Sequence, residues 1–111
     1  NKEFLYNVGR WGEIWVNELL KMKYSKEIQA NIVIIEWMNE IKESGLPYDF
    51  RIKFLNEDEG TMFDDSECKN VKFIEVKSTT KESKEAFPIS YQELCFAQKF
   101  SDQFEIYRLY N

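Results

Sequence analysis

Glu75 and Lys77 stand two residues apart in VKFIEVKSTT (71–80), a run that is otherwise apolar and rich in β-formers. Alternation along a strand places both on one face with Val71 and Phe73 and turns Ile74 and Val76 to the other. Upstream, DFRIKFL (49–55) alternates in the same way, with Phe50, Ile52 and Phe54 on one face and Asp49, Arg51 and Lys53 on the other. Paired as an antiparallel hairpin about the stretch between them, the two runs bring Asp49 opposite the neighbourhood of Glu75 and Lys77. With Phe50, Ile52 and Phe54 packed on the side of Ile74 and Val76, Asp49 also shares their face, which a one-residue slip would undo. The spacing predicts two carboxylates and one ammonium converging at one end of a sheet. Glu13, on the border of a helical stripe, adds a third carboxylate.

Carboxylates gathered in this way repel one another and invite a hard cation. Mg²⁺ accepts such oxygens at about 2.0–2.1 Å and keeps several waters. A divalent ion activates water and stabilises charge on a phosphoryl oxygen, and a neighbouring lysine can orient that water or offset the developing charge. Phosphodiester hydrolysis is the reaction such a set serves best. What the chain lacks narrows the alternatives. It has no histidine, which removes Ser-His-Asp and Cys-His catalysis and histidine-ligated zinc. Cys68 and Cys95 are too few for a four-cysteine zinc site or a disulfide framework, so a reducing compartment is expected. No GxxxxGK[ST] loop is present to cradle a nucleotide.

The elements that must position these residues follow from periodicity. A helix is expected from about Tyr6 to Met22, with Val8, Trp11, Gly12, Trp15, Leu19 and Met22 on one stripe, widened by Val16 and Leu20. Trp11, Trp15 and Trp37 read as core. Gly9 and Gly12 weaken a helix, which close approach of another backbone or a ligand would explain. NIVIIEW (31–37) suits a buried strand, and Asn39 reads as a strand-end or turn residue. ESGLPYD (43–49) is turn chemistry. The stretch 56–67 reads as a solvated acidic loop, and 78–89 as a connection with a short extended piece. SYQELCFAQKF (90–100) opens with the Ser90–Glu93 pattern of a capping box. Its Gln98, on a stripe with Tyr91, Leu94 and Cys95, reads as a polar residue at the edge of the core. FEIYRLY (104–110) closes as a strand. The order is helix, three strands, helix, strand, an α/β arrangement.

At 111 residues, 43% hydrophobic and 16% aromatic, the chain is expected to form a single packed domain spanning 1–111. Its abrupt opening at NKEFLYNVGRWGE reads as a domain excised from a longer multidomain protein. No apolar run approaches membrane-spanning length and no basic-then-apolar leader is visible, so an intracellular protein is expected and no membrane partner. The net charge of −5 argues against strong unaided binding of nucleic acid. Lys81, Lys84, Arg10 and Arg51 are scattered cations that do not by themselves mark a phosphate track.

Asp49, followed by Glu75-Val76-Lys77 at the end of a later strand, resembles the signature of the PD-(D/E)XK (restriction-endonuclease-like) nucleases, and the element order resembles their common core, a mixed sheet flanked by helices. More closely, GRWGEIWVNELL, IEWMNEIKESGLPYDF, FIEVKSTT and FPISYQELCFAQKF with FEIYRLY resemble the domain at the C-terminus of plant NO VEIN proteins. Relatives of that domain occur in proteins with ATPase, helicase or restriction modules. The resemblance implies a metal-dependent nuclease, on DNA rather than RNA, with Mg²⁺ as cofactor (Mn²⁺ substituting) and substrate delivered by other domains. It implies that Asp49 and Glu75 hold the metal, that Glu13 is the first-helix acid some members place around it, and that Lys77 is the catalytic lysine. Tyr48 stands where the signature has proline, with Pro47 one earlier. The alternative is a catalytically weak or inactive nuclease fold kept for nucleic-acid or protein interaction. At residue level, Glu75 and Lys77 could instead be an edge salt bridge, Asp49 a turn residue and Glu13 a surface acid; Ser90 and Glu93 read as a helix cap rather than as catalytic residues.

Overall fold

The computed structural model describes residues 2–55, 70–79 and 89–110. The elements are α1 (Lys2–Lys23), α2 (Ser25–Gln29), β1 (Val33–Trp37), β2 (Phe50–Phe54), β3 (Val71–Thr79), α3 (Tyr91–Lys99) and β4 (Phe104–Tyr110). The expected order is found, with one addition, the single-turn α2. The strand expected from residue 31 begins two residues later, because Ala30 and Asn31 close α2 in a turn where Asn31 adopts φ 60°. Asparagine tolerates that left-handed conformation better than most residues. The acidic stretch 56–67, the connection after Thr79 up to Pro88, and with them Lys81, Lys84 and Cys68, lie outside the described residues.

The four strands form one mixed sheet in the order β1-β2-β3-β4. β1 with β2 and β2 with β3 are antiparallel; β3 and β4 are parallel, which requires the crossover that carries α3. The β2–β3 register sets Phe50 against Ile74 and Ile52 against Lys72. Phe50, Ile52, Ile74 and Val76 therefore share the face that packs on Val16 and Leu20 of α1. On the opposite face Phe73 and Val71 join Tyr48, and Phe96, Phe100 and Phe104 close over them from α3 and β4.

The orientation of α1 corrects the sequence reading. Gly12, Glu13, Val16, Asn17 and Leu20 face the sheet, whereas Trp11, Trp15, Leu19 and Met22 are exposed, Met22 by 74%. The helix is apolar on two adjacent faces, and steric fit chooses between them. A Cβ on Gly12 would collide with the side chain of Ser78 and crowd Leu109. The helix thus rests on β3 and β4 at a distance that a tryptophan on that face would not permit. Trp11 and Trp15 instead stack on each other on the outer face, with centroids 6.4 Å apart. Trp37 is partly buried against the core, as expected. Among the described residues no packing neighbour lies within 4 Å of a Cβ on Gly9, so close approach accounts for Gly12 and not for Gly9. Phe96 of α3 and Phe100, which caps its end, point inward; Gln98, Tyr91, Leu94 and Cys95 face solvent, which removes Gln98 from the edge of the core. Among the described residues no helix is long and apolar enough to cross a membrane.

Candidate acid–lysine site

Asp49 ends the turn that begins at Glu43, where Gly45 takes φ 75°. It already belongs to the ladder: its N–H donates to the carbonyl of Ile74 (2.8 Å) and its carbonyl accepts from Met38 (2.9 Å). Tyr48 is buried with its ring 4.7 Å from Phe73 and 5.1 Å from Phe96, which fixes the backbone entering β2. The aromatic at 48 thus supplies, by packing, the rigidity that a proline would supply by its ring.

Asp49 is buried, 9% exposed, and each of its carboxylate oxygens accepts one hydrogen bond. Oδ2 accepts the N–H of Val76 at 2.7 Å and Oδ1 accepts Nδ2 of Asn39 at 2.6 Å. Burial pushes its pKa up to about 6, with the charge of Glu13 adding and the hydrogen bonds from Val76 and Asn39 opposing. Glu75, next along β3, is pushed up to about 9, first by burial and then by the negative charges of Asp49 and Glu93, with Lys77 opposing. The pairing of Phe50 with Ile74 sets Asp49 opposite Glu75, as the hairpin spacing predicts, and the charge of Asp49 disfavours ionisation of Glu75.

The ammonium of Lys77 lies 3.6 Å from Glu75 Oε1. It also lies 2.9 Å from Oε2 and 3.0 Å from Oε1 of Glu93, at the start of α3. Glu93 is the third residue of the expected capping box: Ser90 Oγ accepts its N–H, and its carboxylate accepts the N–H of Ser90. Burial raises the pKa of Glu93, but its bonds from Lys77 and Ser90 outweigh this and hold it below the ordinary value.

Glu13 is buried in the middle of the sheet-facing side of α1 rather than on its border. Its Oε1 accepts from Trp37 Nε1 at 2.9 Å and from Asn39 Nδ2 at 3.1 Å. Since the same amide donates to Asp49, Asn39 ties the two carboxylates together. Asn39 is itself held: Ser44 N–H donates to its Oδ1 (2.9 Å), and Arg10 donates to its carbonyl (2.7 Å) while its guanidinium sits 4.3 Å from the centre of the Trp37 ring. Arg10 is thus a brace for this loop. Arg51 and Lys53 share the sheet face of Asp49, yet both pair with Glu36.

The described part of the site consists of Asp49, Glu75 and Lys77, extended to Glu13 through Asn39 and to α3 through Glu93. Among the described residues no group of three His, Cys, Asp or Glu side chains is placed to hold a metal ion. What is present is a pair of hard oxygen donors whose joint ionisation is disfavoured, which suits a cation bound by one or two carboxylates and completed by water or phosphate. Local patterning missed Asn39, whose one signal was a polar residue just past a strand. It assigned Glu93 to the cap alone, since a lysine 16 positions away leaves no mark on helical spacing.

A family model described as "Protein NO VEIN, C-terminal" matches residues 15–111, beginning two residues after Glu13. The chain is 31% identical over 98 residues to "Protein NO VEIN-LIKE" of Arabidopsis thaliana. That alignment covers 88% of this chain and 12% of the relative, so the chain spans about an eighth of the relative's length. No solved structure matches. On the match across most of its length, the chain belongs to the NO VEIN C-terminal domain family.

Proposed function

We propose that this domain is a Mg²⁺-dependent nuclease of the PD-(D/E)XK type, acting on DNA in preference to RNA. The observation that carries the reading is the placing of Asp49 and Glu75 together on the end of the β2–β3 pair, with Lys77 beside them. Two partly desolvated acids in mutual repulsion are costly to maintain without a ligand that rewards their ionisation. The order of helix, three strands, helix and strand around them, in a mixed sheet, agrees with what the PD-(D/E)XK resemblance implies.

In this reading Asp49 and Glu75 hold the cation. Asp49 is oriented by Val76 and Asn39, and Glu13 supports it through Asn39. Bound there, the ion supplies charge neutralisation and activates water at a phosphodiester. Lys77 offsets negative charge developing on the phosphoryl oxygens and helps orient the attacking water. With five more negative than positive charges, the domain offers little long-range attraction to a polyanion. Other domains, such as ATPase or helicase modules, are therefore proposed to deliver the substrate. The reading also places the domain in the reducing interior of a cell, where the exposed free thiol of Cys95 persists.

Calorimetric titration with Mn²⁺ should show binding to the wild-type domain and none to an Asp49→Ala, Glu75→Ala double variant that still melts cooperatively. Lys77→Ala should keep the metal and lose cleavage of DNA by about 100-fold or more. Cleavage retained in purified Lys77→Ala would remove the assignment. A second reading, a nuclease fold used as an interaction module, is favoured by the acidic balance, and absence of Mn²⁺ binding at millimolar metal would select it.

A further inference from the structure

Lys77 is held more closely by α3 than by the acid two residues before it in its own strand. Its ammonium lies 2.9 and 3.0 Å from the two oxygens of Glu93 but 3.6 Å from Glu75. We propose that Glu93 is a positioning residue that fixes Lys77 at the Asp49–Glu75 end of the sheet. This rests on the nuclease reading and adds to it a residue from α3.

The geometry of Glu93 suits it to this task. Its carboxylate is anchored from behind by the capping box, through the N–H of Ser90 at 3.2 Å, while its own N–H bonds to Ser90 Oγ at 3.1 Å. A long, flexible lysine is thus tied to a carboxylate whose rotamer is set by the first turn of a helix. Both side chains are largely enclosed, at 21% and 14% exposure, where a charge pair is screened less than on an open surface. Glu93 Oε2 is buried and accepts no directed hydrogen bond among the described residues, so the ammonium is what compensates its charge.

The need for such an anchor follows from the chemistry. A divalent cation at Asp49 and Glu75 would take over the negative charge of Glu75 and repel the ammonium beside it. A lysine tethered by Glu75 alone would then swing toward solvent. Glu93, on the other side of the ammonium, keeps it in place whether or not the two acids are neutralised. The ion pair also couples the start of α3 to the end of β3, so the helix cap and the site are set by one side chain.

Two substitutions separate the anchor from the cap. Glu93→Gln keeps a residue that serves at the third position of a capping box and removes the charge. Ser90→Ala removes the hydroxyl cap and leaves the ion pair. In the metal-free domain, treated with limiting acylating reagent and analysed by mass spectrometry, Glu93→Gln should raise labelling of Lys77 relative to Lys99 roughly three- to tenfold, since the side chain loses the tether that keeps it enclosed and its amine swings toward solvent. Ser90→Ala should lower the melting temperature and leave that ratio unchanged. With Mn²⁺, Glu93→Gln should keep metal affinity and lose DNA cleavage roughly 10- to 100-fold in kcat. Unchanged Lys77 labelling in Glu93→Gln, or cleavage at the wild-type rate, overturns the proposal. If the wild-type domain binds no metal and cuts nothing, the nuclease reading fails by itself, and the labelling ratio still decides whether Glu93 holds Lys77.

Discussion

Asp49 and Glu75 are both acids whose pKa values are raised, yet they should respond oppositely to neutralisation. Each oxygen of Asp49 accepts one N–H, from Val76 and from Asn39. An amide offers one oxygen and one NH₂, so Asp49→Asn must set a donor against a donor, at a cost of about 1–3 kcal/mol. Glu75 instead faces like charges and burial, with the Lys77 ammonium 3.6 Å away. Glu75→Gln removes a group that the fold prefers neutral. The sign of the pH effect follows. Between the ordinary glutamate value of 4.5 and about 9, folded Glu75 keeps a proton that the unfolded chain has released. The native state then binds more protons, and stability falls as pH rises. Thermal melts in chelator at pH 5 and pH 8 should show wild type losing stability between them, Glu75→Gln losing less, and Asp49→Asn lowered at pH 8. A wild-type melting temperature that rises from pH 5 to pH 8 and responds to neither substitution would remove this account. Saturating Mn²⁺ should reverse the wild-type trend, because a cation binds the ionised pair.

Two glycines three residues apart in α1 carry opposite expectations. Gly12 lies against β3 and β4, where a Cβ meets Ser78 and Leu109, while Gly9 has open space around it. Gly12→Ala forces the helix or Ser78 to move and should destabilise by about 1–3 kcal/mol. Gly9→Ala removes only the conformational freedom of glycine and should stabilise by about 0.5–1 kcal/mol. Chemical denaturation of the two variants checks the helix placement, and equal effects of either sign would contradict it. Because Glu13 follows Gly12, a shift of α1 at Gly12→Ala also moves a carboxylate bonded to Trp37 and Asn39. Packing of this helix and geometry at Asp49 are linked through one residue.

For the whole molecule, the sheet separates two apolar layers, one under α1 and one under α3, and the candidate site lies where β2 begins beside the middle of β3, within reach of both helices. Glu13 arrives from one layer, Glu93 from the other, and Asp49, Glu75 and Lys77 from the strands between. The negative balance of the chain sets a further expectation. Fluorescence anisotropy with a short DNA duplex should show weak binding in chelator, strengthened by Ca²⁺ used as a non-cleaving ion and abolished in the Asp49→Ala, Glu75→Ala variant. Tight, metal-independent binding of DNA would argue that a basic surface rather than the acid pair recognises it.

The element order, the β2–β3 pairing and the cap of α3 were legible in sequence, because alternation, helical spacing and capping are local rules acting over a few residues. They also placed Asp49 near Glu75 and Lys77, since a hairpin register turns sequence spacing directly into distance. The facing of α1 was not legible: two of its faces are apolar, and the choice was made by how closely Gly12 lets the helix approach Ser78. Nor were the roles of Asn39 and Glu93, whose partners lie 10 to 26 and 16 positions away. Hydrogen bonds of that reach impose no period on the chain. Their partners are chosen by which elements pack together, and the tertiary structure alone decides that.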